Sequence, residues 1–395
     1  KTRIKGNVHY VGVNDRNKHR FEGMWPLPYG VSYNSYLIDD EMVALVDTVD
    51  ICYFEVYLRK IKQVIGERPI NYLIINHMEP DHSGSIRLIK QHYPEIIIVG
   101  NKQTFGMIEG FYGVTGEQYL VKEGDFLALG HHKLRFYMTP MVHWPETMMT
   151  FDETDGVLFS GDGFGCFGTV DGGFLDTRIN VDKYWGEMVR YYSNIVGKYG
   201  SPVQKALQKL GGLPISAICS THGPVWTENI AKVIGIYDRL SRYDADEGVV
   251  IAYGSMYGNT EQMAEAIAEE LSAQGVKNIV MHNVTKSHPS YILADIFRYK
   301  GLIIGSPTYS NQIFPEVEAL LSKILLREVK GRYLGYFGSF TWAGAAVKRL
   351  AEFAEKSKFE LVGDPVEMKQ AMKDLTYTQC ENLARAMADR LKKDR

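Results

Sequence analysis

The sequence of 395 residues is poor in cysteine. Its four cysteines, Cys52, Cys166, Cys219 and Cys380, are scattered along the chain and form no C-x-x-C pair. Disulfide frameworks, rubredoxin-type iron sites and zinc ribbons depend on numerous or closely spaced cysteines, so the sequence argues against all three. We therefore expect a cytoplasmic protein in a reducing compartment.

Long apolar runs and a strong charge of one sign are also missing. No stretch approaches the roughly 20 apolar residues of a membrane helix, and the N-terminus has no apolar segment followed by a cleavage site. The 44 Lys and Arg residues nearly balance the 47 Asp and Glu residues, which leaves a formal charge of −3. We expect neither nucleic acid nor a membrane among the partners.

Two patterns divide the chain. Up to about residue 245, short β-type runs alternate with Gly, Asn and Asp turns. Beyond it, near-continuous apolar strands alternate with amphipathic helices, which is typical of a doubly wound parallel sheet. The polar segment 239–248 has no apolar period and is predicted to be a linker. The predicted domains are residues 1–246 and 249–395.

The strongest chemical signal is a set of His and carboxylate residues that follow β-type runs. A dense cluster, H-x-E-x-D-H, comes directly after one apolar run, and single residues follow three later runs. The alternatives are a charged turn for the cluster and structural hydrogen bonding for each lone histidine. The candidate metal ligands are His77, Glu79, Asp81, His82, His143, Asp162 and His222.

Strand ends of a layered sheet lie along one edge, so these side chains can meet although they are far apart in sequence. Seven ligands suit two metals with Asp162 as a bridge, which is a known catalytic arrangement. Imidazole and carboxylate without thiolate favour iron or manganese, although zinc accepts the same ligands. Each ligating histidine should donate its other N–H to an acceptor that the sequence does not reveal.

This ligand pattern resembles that of the metallo-β-lactamase superfamily. It departs from the hydrolases of that superfamily at Glu79, where they usually have a histidine. The change is the mark of the flavodiiron proteins, also called A-type flavoproteins. The resemblance implies an N-terminal metallo-β-lactamase-like αββα sandwich.

The second domain opens with a loop suited to a phosphate. Residues 254–260 lie between an apolar strand and an amphipathic helix and are rich in Gly, Ser, Asn and Thr. Their backbone N–H groups and hydroxyls can surround an anion at the helix N-terminus. The loop matches neither G-x-G-x-x-G nor the P-loop, which favours a mononucleotide.

Two further segments, 306–311 and 339–344, are predicted to be loops at the carboxyl ends of parallel strands, where doubly wound sheets bind ligands. Tyr309 and Trp342 could flank a flat flavin ring, and the alternative for either is simple packing. This half resembles flavodoxins, which implies FMN. The candidate FMN-binding residues are Ser255, Met256, Tyr257, Gly258, Asn259, Thr260, Ser306, Pro307, Thr308, Tyr309, Asn311, Ser339, Phe340, Trp342 and Gly344.

Together the two resemblances cover essentially the whole chain. They imply an FMN and di-iron enzyme that reduces dioxygen to water, nitric oxide to nitrous oxide, or both, with electrons from a rubredoxin-like donor. They also imply a head-to-tail homodimer or a dimer of dimers. In the implied ligand set, Asp162 bridges two irons; His77, Glu79 and His143 bind one, and Asp81, His82 and His222 bind the other.

Some questions stay open at this point. A dizinc hydrolase with an appended flavodoxin domain and a non-catalytic electron-transfer flavoprotein are alternative functions. His82 directly follows Asp81, so the sequence does not determine whether its side chain turns toward a metal. The preference for oxygen or nitric oxide is expected to depend on nearby aromatics such as Trp25, Tyr33 and Trp144, and the sequence does not rank the two substrates.

Overall fold

The structure, a computed structural model, describes residues 1–395. The chain forms two compact units, an N-terminal unit, Lys1–Ser241, and a C-terminal unit, Arg242–Arg395. No helix in either unit is both long enough and apolar enough to cross a bilayer.

The N-terminal unit contains sixteen short strands and seven α-helices. Its strands are β1 Arg3–Lys5, β2 Val8–Tyr10, β3 Val13–Asp15, β4 Arg20–Phe21, β5 Trp25–Pro26, β6 Val31–Tyr33, β7 Tyr36–Ile38, β8 Ala44–Val46, β9 Tyr72–Ile74, β10 Ile97–Gly100, β11 Gln118–Leu120, β12 Phe126–Ala128, β13 Lys133–Met138, β14 Met148–Asp152, β15 Val157–Gly161 and β16 Ala217–Ser220. Its helices are α1 Phe54–Ile65, α2 Pro80–Ser83, α3 Ile86–His92, α4 Lys102–Tyr112, α5 Asp182–Tyr191, α6 Gly200–Leu210 and α7 Ile230–Ser241, with 3₁₀ turns at Ile51–Tyr53 and Gly197–Tyr199 and a π-helical turn at Tyr192–Val196.

Two sheets form the body of this unit. One has the order β1-β2-β7-β8-β9-β10-β11, and its strands from β8 onward are parallel. The other has the order β12-β13-β14-β15-β16, in which only β15 and β16 are parallel. Two small hairpin-like pairs, β3–β6 and β4–β5, lie apart from these sheets.

The core of the N-terminal unit lies between the two sheets. Val46 and Ile74 from the first sheet share one buried apolar cluster with Phe136 and Phe159 from the second. Each sheet therefore excludes water from the facing side of the other, as in a sandwich. The fold is the predicted metallo-β-lactamase-like sandwich.

Helix α1 shows how sequence pattern sets this packing. Its buried residues are Phe54, Tyr57, Ile61 and Ile65, which recur at the spacing of one helical face. The helix ends at Gly66, whose φ of 63° a residue with a Cβ rarely adopts. Both features follow from the local sequence.

The C-terminal unit is a doubly wound parallel sheet. Its strands are β17 Asp246–Tyr253, β18 Ile279–Asn283, β19 Tyr299–Tyr309, β20 Gln312–Ile313, β21 Tyr333–Phe340, β22 Glu360–Leu361 and β23 Val366–Lys369, and its helices are α8 Asn259–Ala273, α9 Pro289–Arg298, α10 Pro315–Arg327, α11 Ala346–Ser357 and α12 Asp374–Lys392. The order β18-β17-β19-β21-β22, with β23 also beside β21, is the flavodoxin order 2-1-3-4-5. Met263, Ile267 and Leu271 lie on the buried face of α8.

The linker predicted over residues 239–248 is too long. Helix α7 continues to Ser241, because Leu240 extends the buried face begun by Val233 and Tyr237. Strand β17 already begins at Asp246, which pairs with Tyr299. Only residues 242–245 lie between the two elements.

The segments 306–311 and 339–344 are also less loop-like than predicted. Ser306 and Pro307 pair with Gly338 and Ser339, so β19 and β21 run further than their apolar cores suggest. Beyond them, Thr308 and Tyr309 pair with β20, and Phe340 pairs with β23. The reason is that backbone pairing with a neighbouring strand does not require an apolar side chain.

Candidate metal centre and flavin site

All seven predicted metal ligands lie together at one edge of the N-terminal unit. His77 follows β9, Asp162 follows β15 and His222 follows β16, while His143 lies in the loop after β13. The short helix α2, with Pro80 in its first turn, turns the chain after Glu79. Since β15 and β16 are parallel neighbours, their carboxyl ends meet at this edge. The remaining members of the set, Asp81 and His82, lie within α2.

Four of these side chains form the first group of ligand atoms: His77, Glu79, His143 and Asp162. The His143 Nε2 atom lies 3.1 Å from Glu79 Oε2 and 3.0 Å from Asp162 Oδ2. The His77 Nε2 atom lies 3.3 Å from the same Asp162 oxygen. All four residues are buried, so these atoms converge on one small volume within the protein.

The second group consists of Asp81, His82 and His222. The His222 Nε2 atom lies 3.2 Å from Asp81 Oδ2, and the His82 Nε2 atom lies 3.6 Å from Asp81 Oδ1. His82 therefore turns its Nε2 atom toward the cluster, a direction that the sequence left undetermined.

Asp162 lies between the groups and presents a different oxygen to each. Its Oδ2 atom faces His77 and His143, whereas its Oδ1 atom lies 3.2 Å from His82 Nε2 and 3.4 Å from His222 Nε2. The Thr221 hydroxyl donates a hydrogen bond to Oδ1 and holds the carboxylate in this orientation. This is the geometry expected of a bridging carboxylate.

The cluster contains buried polar atoms that have no hydrogen-bond partner. They include the Nε2 atoms of His77, His82 and His222 and both carboxylate oxygens of Asp81. Leaving such atoms unpaired inside a protein costs free energy, about 1–3 kcal/mol for each group. Two cations would satisfy all of them, and the donor set of imidazoles and carboxylates suits iron.

Charge interactions within the cluster also favour bound cations. Burial lowers the pKa of His143, but hydrogen bonds to Asp162 and Glu79 outweigh it and raise that pKa to about 9. Burial likewise lowers the pKa of His82, and the charges of Asp81 and Asp162 raise it to about 9. The carboxylates thus attract positive charge strongly at this place, whether it is carried by protons or by metal ions.

The predicted phosphate loop is open at the N-terminus of α8. No side chain caps this helix, so its first N–H groups lack the side-chain acceptor that often satisfies a helix N-terminus. The Ser255 hydroxyl accepts the N–H of Gly258, whose φ is 93°. Met256 and Tyr257 are exposed, and Asn259 and Thr260 form the first turn. An anion would complete this helix end.

The other flavin candidates surround the same end of the sheet. Thr260 and Ser339 share a hydrogen bond of 2.8 Å, which joins the phosphate loop to the end of β21. The Thr308 hydroxyl accepts the backbone N–H of Ala345 and so holds the loop that follows β21. Ser306 and Pro307 end the parallel part of β19. Asn311 follows Tyr309 and Ser310 and has a φ of 59°. Phe340 and Gly344 lie on either side of Trp342 in the chain.

Two of the candidate aromatic residues have unusually exposed rings. Trp342 is 78% exposed and Tyr309 is 49% exposed. Simple packing into the core, the alternative interpretation, therefore does not account for them. Their exposure leaves both rings free to cover a flat ligand.

Family models match both units of the chain. Residues 31–223 match the family described as ODP family beta lactamase, and residues 251–383 match the family Flavodoxin. The anaerobic nitric oxide reductase flavorubredoxin of Vibrio vulnificus (strain YJ016) is 33% identical over 90% of this chain and 73% of its own length.

Solved structures resemble the whole chain. The rubredoxin oxygen:oxidoreductase of the anaerobe Desulfovibrio gigas is 31% identical, with a TM-score of 0.95 over 99% of this chain and 98% of that chain. The flavodiiron protein of Giardia intestinalis is 27% identical, with a TM-score of 0.93 over 98% and 97%. This chain belongs to the flavodiiron protein family.

Membership in the flavodiiron family decides between the functions that the sequence left open. The chain is an oxidoreductase, and its cofactors are FMN and a di-iron centre. The comparisons support the reductase function over a dizinc hydrolase.

The sequence of this flavodiiron protein did not reveal the groups that accept hydrogen bonds from the Nδ1 atoms of His77 and His222. The His77 Nδ1 atom lies 2.6 Å from Glu146 Oε1, and His222 Nδ1 lies 2.8 Å from the Ser32 carbonyl oxygen. Ser32 contributes only backbone, which no side-chain pattern reveals. For Glu146 a signal did exist, since it is an acidic residue close to His143 in the sequence.

Two of the three aromatic residues named from the sequence, Trp144 and Tyr33, lie against imidazole rings of the cluster. Trp144 lies edge-on to His77, with ring centroids 5.2 Å apart, and Tyr33 lies 6.2 Å from the His222 ring. Trp25 donates its Nε1–H to Glu22 at 3.1 Å. Desolvation and the charge of Glu79 raise the pKa of Glu22 to about 7. Glu22 is a further residue beside the site that the sequence did not indicate.

Proposed function

We propose that this protein reduces dioxygen to water, nitric oxide to nitrous oxide, or both, with electrons that enter through FMN. The observation that carries the proposal is the set of two buried ligand groups that share Asp162, in a chain that also has an open phosphate loop of flavodoxin type. Its relatives bear the names nitric oxide reductase flavorubredoxin and rubredoxin oxygen:oxidoreductase.

The proposed metal ligands follow the two groups. One iron would be bound by His77, Glu79 and His143, and the second by Asp81, His82 and His222. Asp162 would bridge the two, because each of its oxygens faces a different group.

The proposed flavin site is the set of fifteen residues around the carboxyl ends of β17, β19 and β21. The helix N-terminus at Asn259 would hold the phosphate, and Tyr309 and Trp342 would flank the ring. The same proposal takes residues 1–246 and 249–395 as the two functional domains.

Chain residues other than the ligands supply orientation and protons. When bound, FMN and the iron pair supply electrons to a small diatomic molecule. Reduction of either substrate consumes protons, and the Glu22 carboxyl lies beside Glu79 and His143, where it could pass one on. Trp25 holds the Glu22 carboxyl in place through its Nε1–H. Trp144 and Tyr33 cover imidazole rings and exclude water from them.

The proposed partners are a rubredoxin-like electron donor and a second copy of this chain. Each proposed site lies within one unit, so a head-to-tail homodimer, or a dimer of dimers, would bring one chain's FMN beside its partner's irons. The name of the Desulfovibrio gigas protein supports a rubredoxin-like donor. A cytoplasmic location stays a prediction.

Metal content tests this function first. Protein purified without oxygen should contain about two irons per chain and little zinc, and the reduced protein should be oxidised rapidly by oxygen, by nitric oxide or by both in stopped-flow mixing. Two zincs per chain, reproducible when iron is available during expression, would contradict the proposal.

Substitutions test the ligand assignment. Glu79→Ala and Asp162→Ala should each lose iron and reductase activity, because each removes a whole carboxylate from the cluster. Asp176→Asn is the matched control, since Asp176 is buried in the same unit but accepts hydrogen bonds only from residues 227–229. If both alanine variants kept iron and activity, the assignment would be wrong.

A further inference from the structure

Glu146 is a carboxylate with no exposed surface in the loop between β13 and β14. Its Oε1 atom accepts two hydrogen bonds, from His77 Nδ1 at 2.6 Å and from the Met78 backbone N–H at 2.7 Å. Its Oε2 atom has no partner. The carboxylate therefore directs its hydrogen bonding entirely at one ligand and the peptide that follows it.

These two hydrogen bonds hold His77 in one tautomer and one orientation. A carboxylate oxygen that already accepts Met78 N–H acts as an acceptor toward the ring as well, so Nδ1 carries the proton. The Nε2 lone pair then points into the cluster, where Nε2 lies 3.3 Å from Asp162 Oδ2. A hydrogen-bonded carboxylate behind an imidazole also makes that imidazole a stronger electron donor.

The second ligand group has no equivalent of Glu146. His222 donates its Nδ1–H to a neutral carbonyl, that of Ser32, at 2.8 Å. The Nδ1 atom of His82 has no hydrogen-bond partner. Of the four imidazoles in the cluster, His77 therefore has the only Nδ1 that is hydrogen-bonded to a carboxylate.

We propose that Glu146 is a positioning residue that makes the two metal positions electronically unequal, so that the iron at His77, Glu79 and His143 is oxidised first. The added negative charge favours the ferric state at that position. In a buried site, ferric iron is attracted to a nearby anion more strongly than ferrous iron is, because its charge is higher. This inference rests on the proposed function, since it requires an iron pair on these ligands.

The decisive variant is Glu146→Gln. A glutamine oxygen can still accept both hydrogen bonds, so the variant removes the charge while it keeps the geometry. With ⁵⁷Fe-loaded protein, stepwise oxidation followed by Mössbauer spectroscopy should show one ferrous position oxidised first in the wild type. In the variant, oxidation of that position should require a more positive potential. Iron affinity, measured by competition with a chelator, should fall by about 10- to 100-fold.

A second readout does not depend on iron or on activity. In zinc-loaded protein, the His77 Nδ1 proton should give a strongly downfield NMR signal, which moves upfield in Glu146→Gln and is lost in Glu146→Ala. Asp176→Asn, which removes a buried carboxylate elsewhere in the same unit, should change neither this signal nor the order of oxidation.

The outcomes separate the inference from the proposed function. If the wild type holds two irons and Glu146→Gln leaves unchanged both the iron affinity and the potential at which the first ferrous position is oxidised, the inference is wrong and the proposed function stands. If the wild type cannot hold an iron pair on these ligands, both are wrong. Loss of the proton signal in Asp176→Asn would show an indirect structural effect and would overturn the assignment to Glu146.

Discussion

At the scale of single residues, His132 shows how a buried histidine differs from the ligand histidines. Its Nδ1 atom lies 2.8 Å from Asp40 Oδ2, and its Nε2 atom lies 3.1 Å from Asp155 Oδ2. Both ring nitrogens are thus satisfied by protein groups, whereas His77, His82 and His222 each leave Nε2 unpaired. Burial alone therefore does not distinguish the proposed ligands His77, His82 and His222 from His132, whereas the unpaired Nε2 atom does.

His132 leads to a prediction about pH and stability. Burial lowers the pKa of His132, but hydrogen bonds to Asp40 and Asp155 and the charge of Asp152 outweigh it and raise that pKa above 6.5. Because its pKa is higher in the folded state, protonated His132 stabilises the fold. This contribution is complete below the unfolded pKa of 6.5 and is lost as the pH rises through the folded pKa. His132→Gln should therefore lower the free energy of unfolding by about 1–3 kcal/mol at pH 5 and by less above pH 8.

Urea unfolding at the two pH values measures this effect. The exposed neighbour His131 provides the control, and His131→Gln should change the free energy of unfolding little at either pH. Despite partial desolvation, hydrogen bonds from His132 lower the pKa of Asp40 to about 2. The contribution of ionised Asp40 to the free energy of unfolding is present above pH 3.8 and is lost toward pH 2. A difference in unfolding free energy between wild type and His132→Gln that grew below pH 3 would therefore contradict this account.

At the scale of elements, one buried arginine holds the end of α9 in the C-terminal unit. Arg332 is 1% exposed and donates to the carbonyl oxygens of Ile296 and Phe297 in the last turn of that helix. It also donates to the carbonyls of Tyr243 and Lys330. Burial lowers its pKa to about 10, so the side chain stays charged at neutral pH, where it complements the negative end of the helix.

Removing this side chain should destabilise the C-terminal unit. Arg332→Ala leaves two buried carbonyl oxygens, those of Ile296 and Phe297, without this donor. Each such group costs about 1–3 kcal/mol, so we expect a loss of about 3 kcal/mol or more. Arg349→Ala is the control, because Arg349 pairs with the partly exposed Glu318 and should cost about 1 kcal/mol or less. Chemical unfolding, monitored by the release of FMN, measures the loss of unfolding free energy in each variant. Equal losses in Arg332→Ala and Arg349→Ala would contradict the role given to Arg332.

Helices and strands differ in how well the local sequence predicts them. The apolar residues of α1 and α8 recur at helical spacing and form the buried faces of these helices, because a helix face is defined by residues close together in the chain. The extra length of β19 was not predicted, because Ser306 and Pro307 are in the strand only through pairing with β21. Strand ends are decided by a neighbour that the local sequence does not contain.

At the scale of the whole molecule, the proposed head-to-tail dimer can be tested by complementation. Ser255→Asp puts a carboxylate where we propose the FMN phosphate, and Asp162→Ala removes the proposed bridge between the irons. Each variant alone should be inactive. Mixed dimers of the two chains should regain about half of the wild-type activity per dimer, because one chain's FMN would then lie beside the other chain's irons.

The result discriminates between routes for the electrons. Transfer within one chain predicts no activity in mixed dimers, since neither chain has both sites. Separately tagged chains and two-step purification isolate the mixed dimer, and light scattering measures its mass. A wild-type protein that is monomeric at working concentration would also contradict the proposed dimer.

The sequence by itself determined the kinds of ligand, their order along the chain and the two fold classes. Those features are local, because a histidine or carboxylate after an apolar run and a loop between strand and helix are visible in a few residues. Both fold classes and the cofactors agree with the comparisons.

Only the tertiary structure decided how these parts are arranged. It showed that each oxygen of Asp162 faces a different ligand group and that His82 turns inward. It also paired His77 with Glu146, which lies 69 residues away in the chain. The physical reason is that a side chain's direction and its hydrogen-bond partner depend on segments distant in sequence, which come together only when the sheets pack.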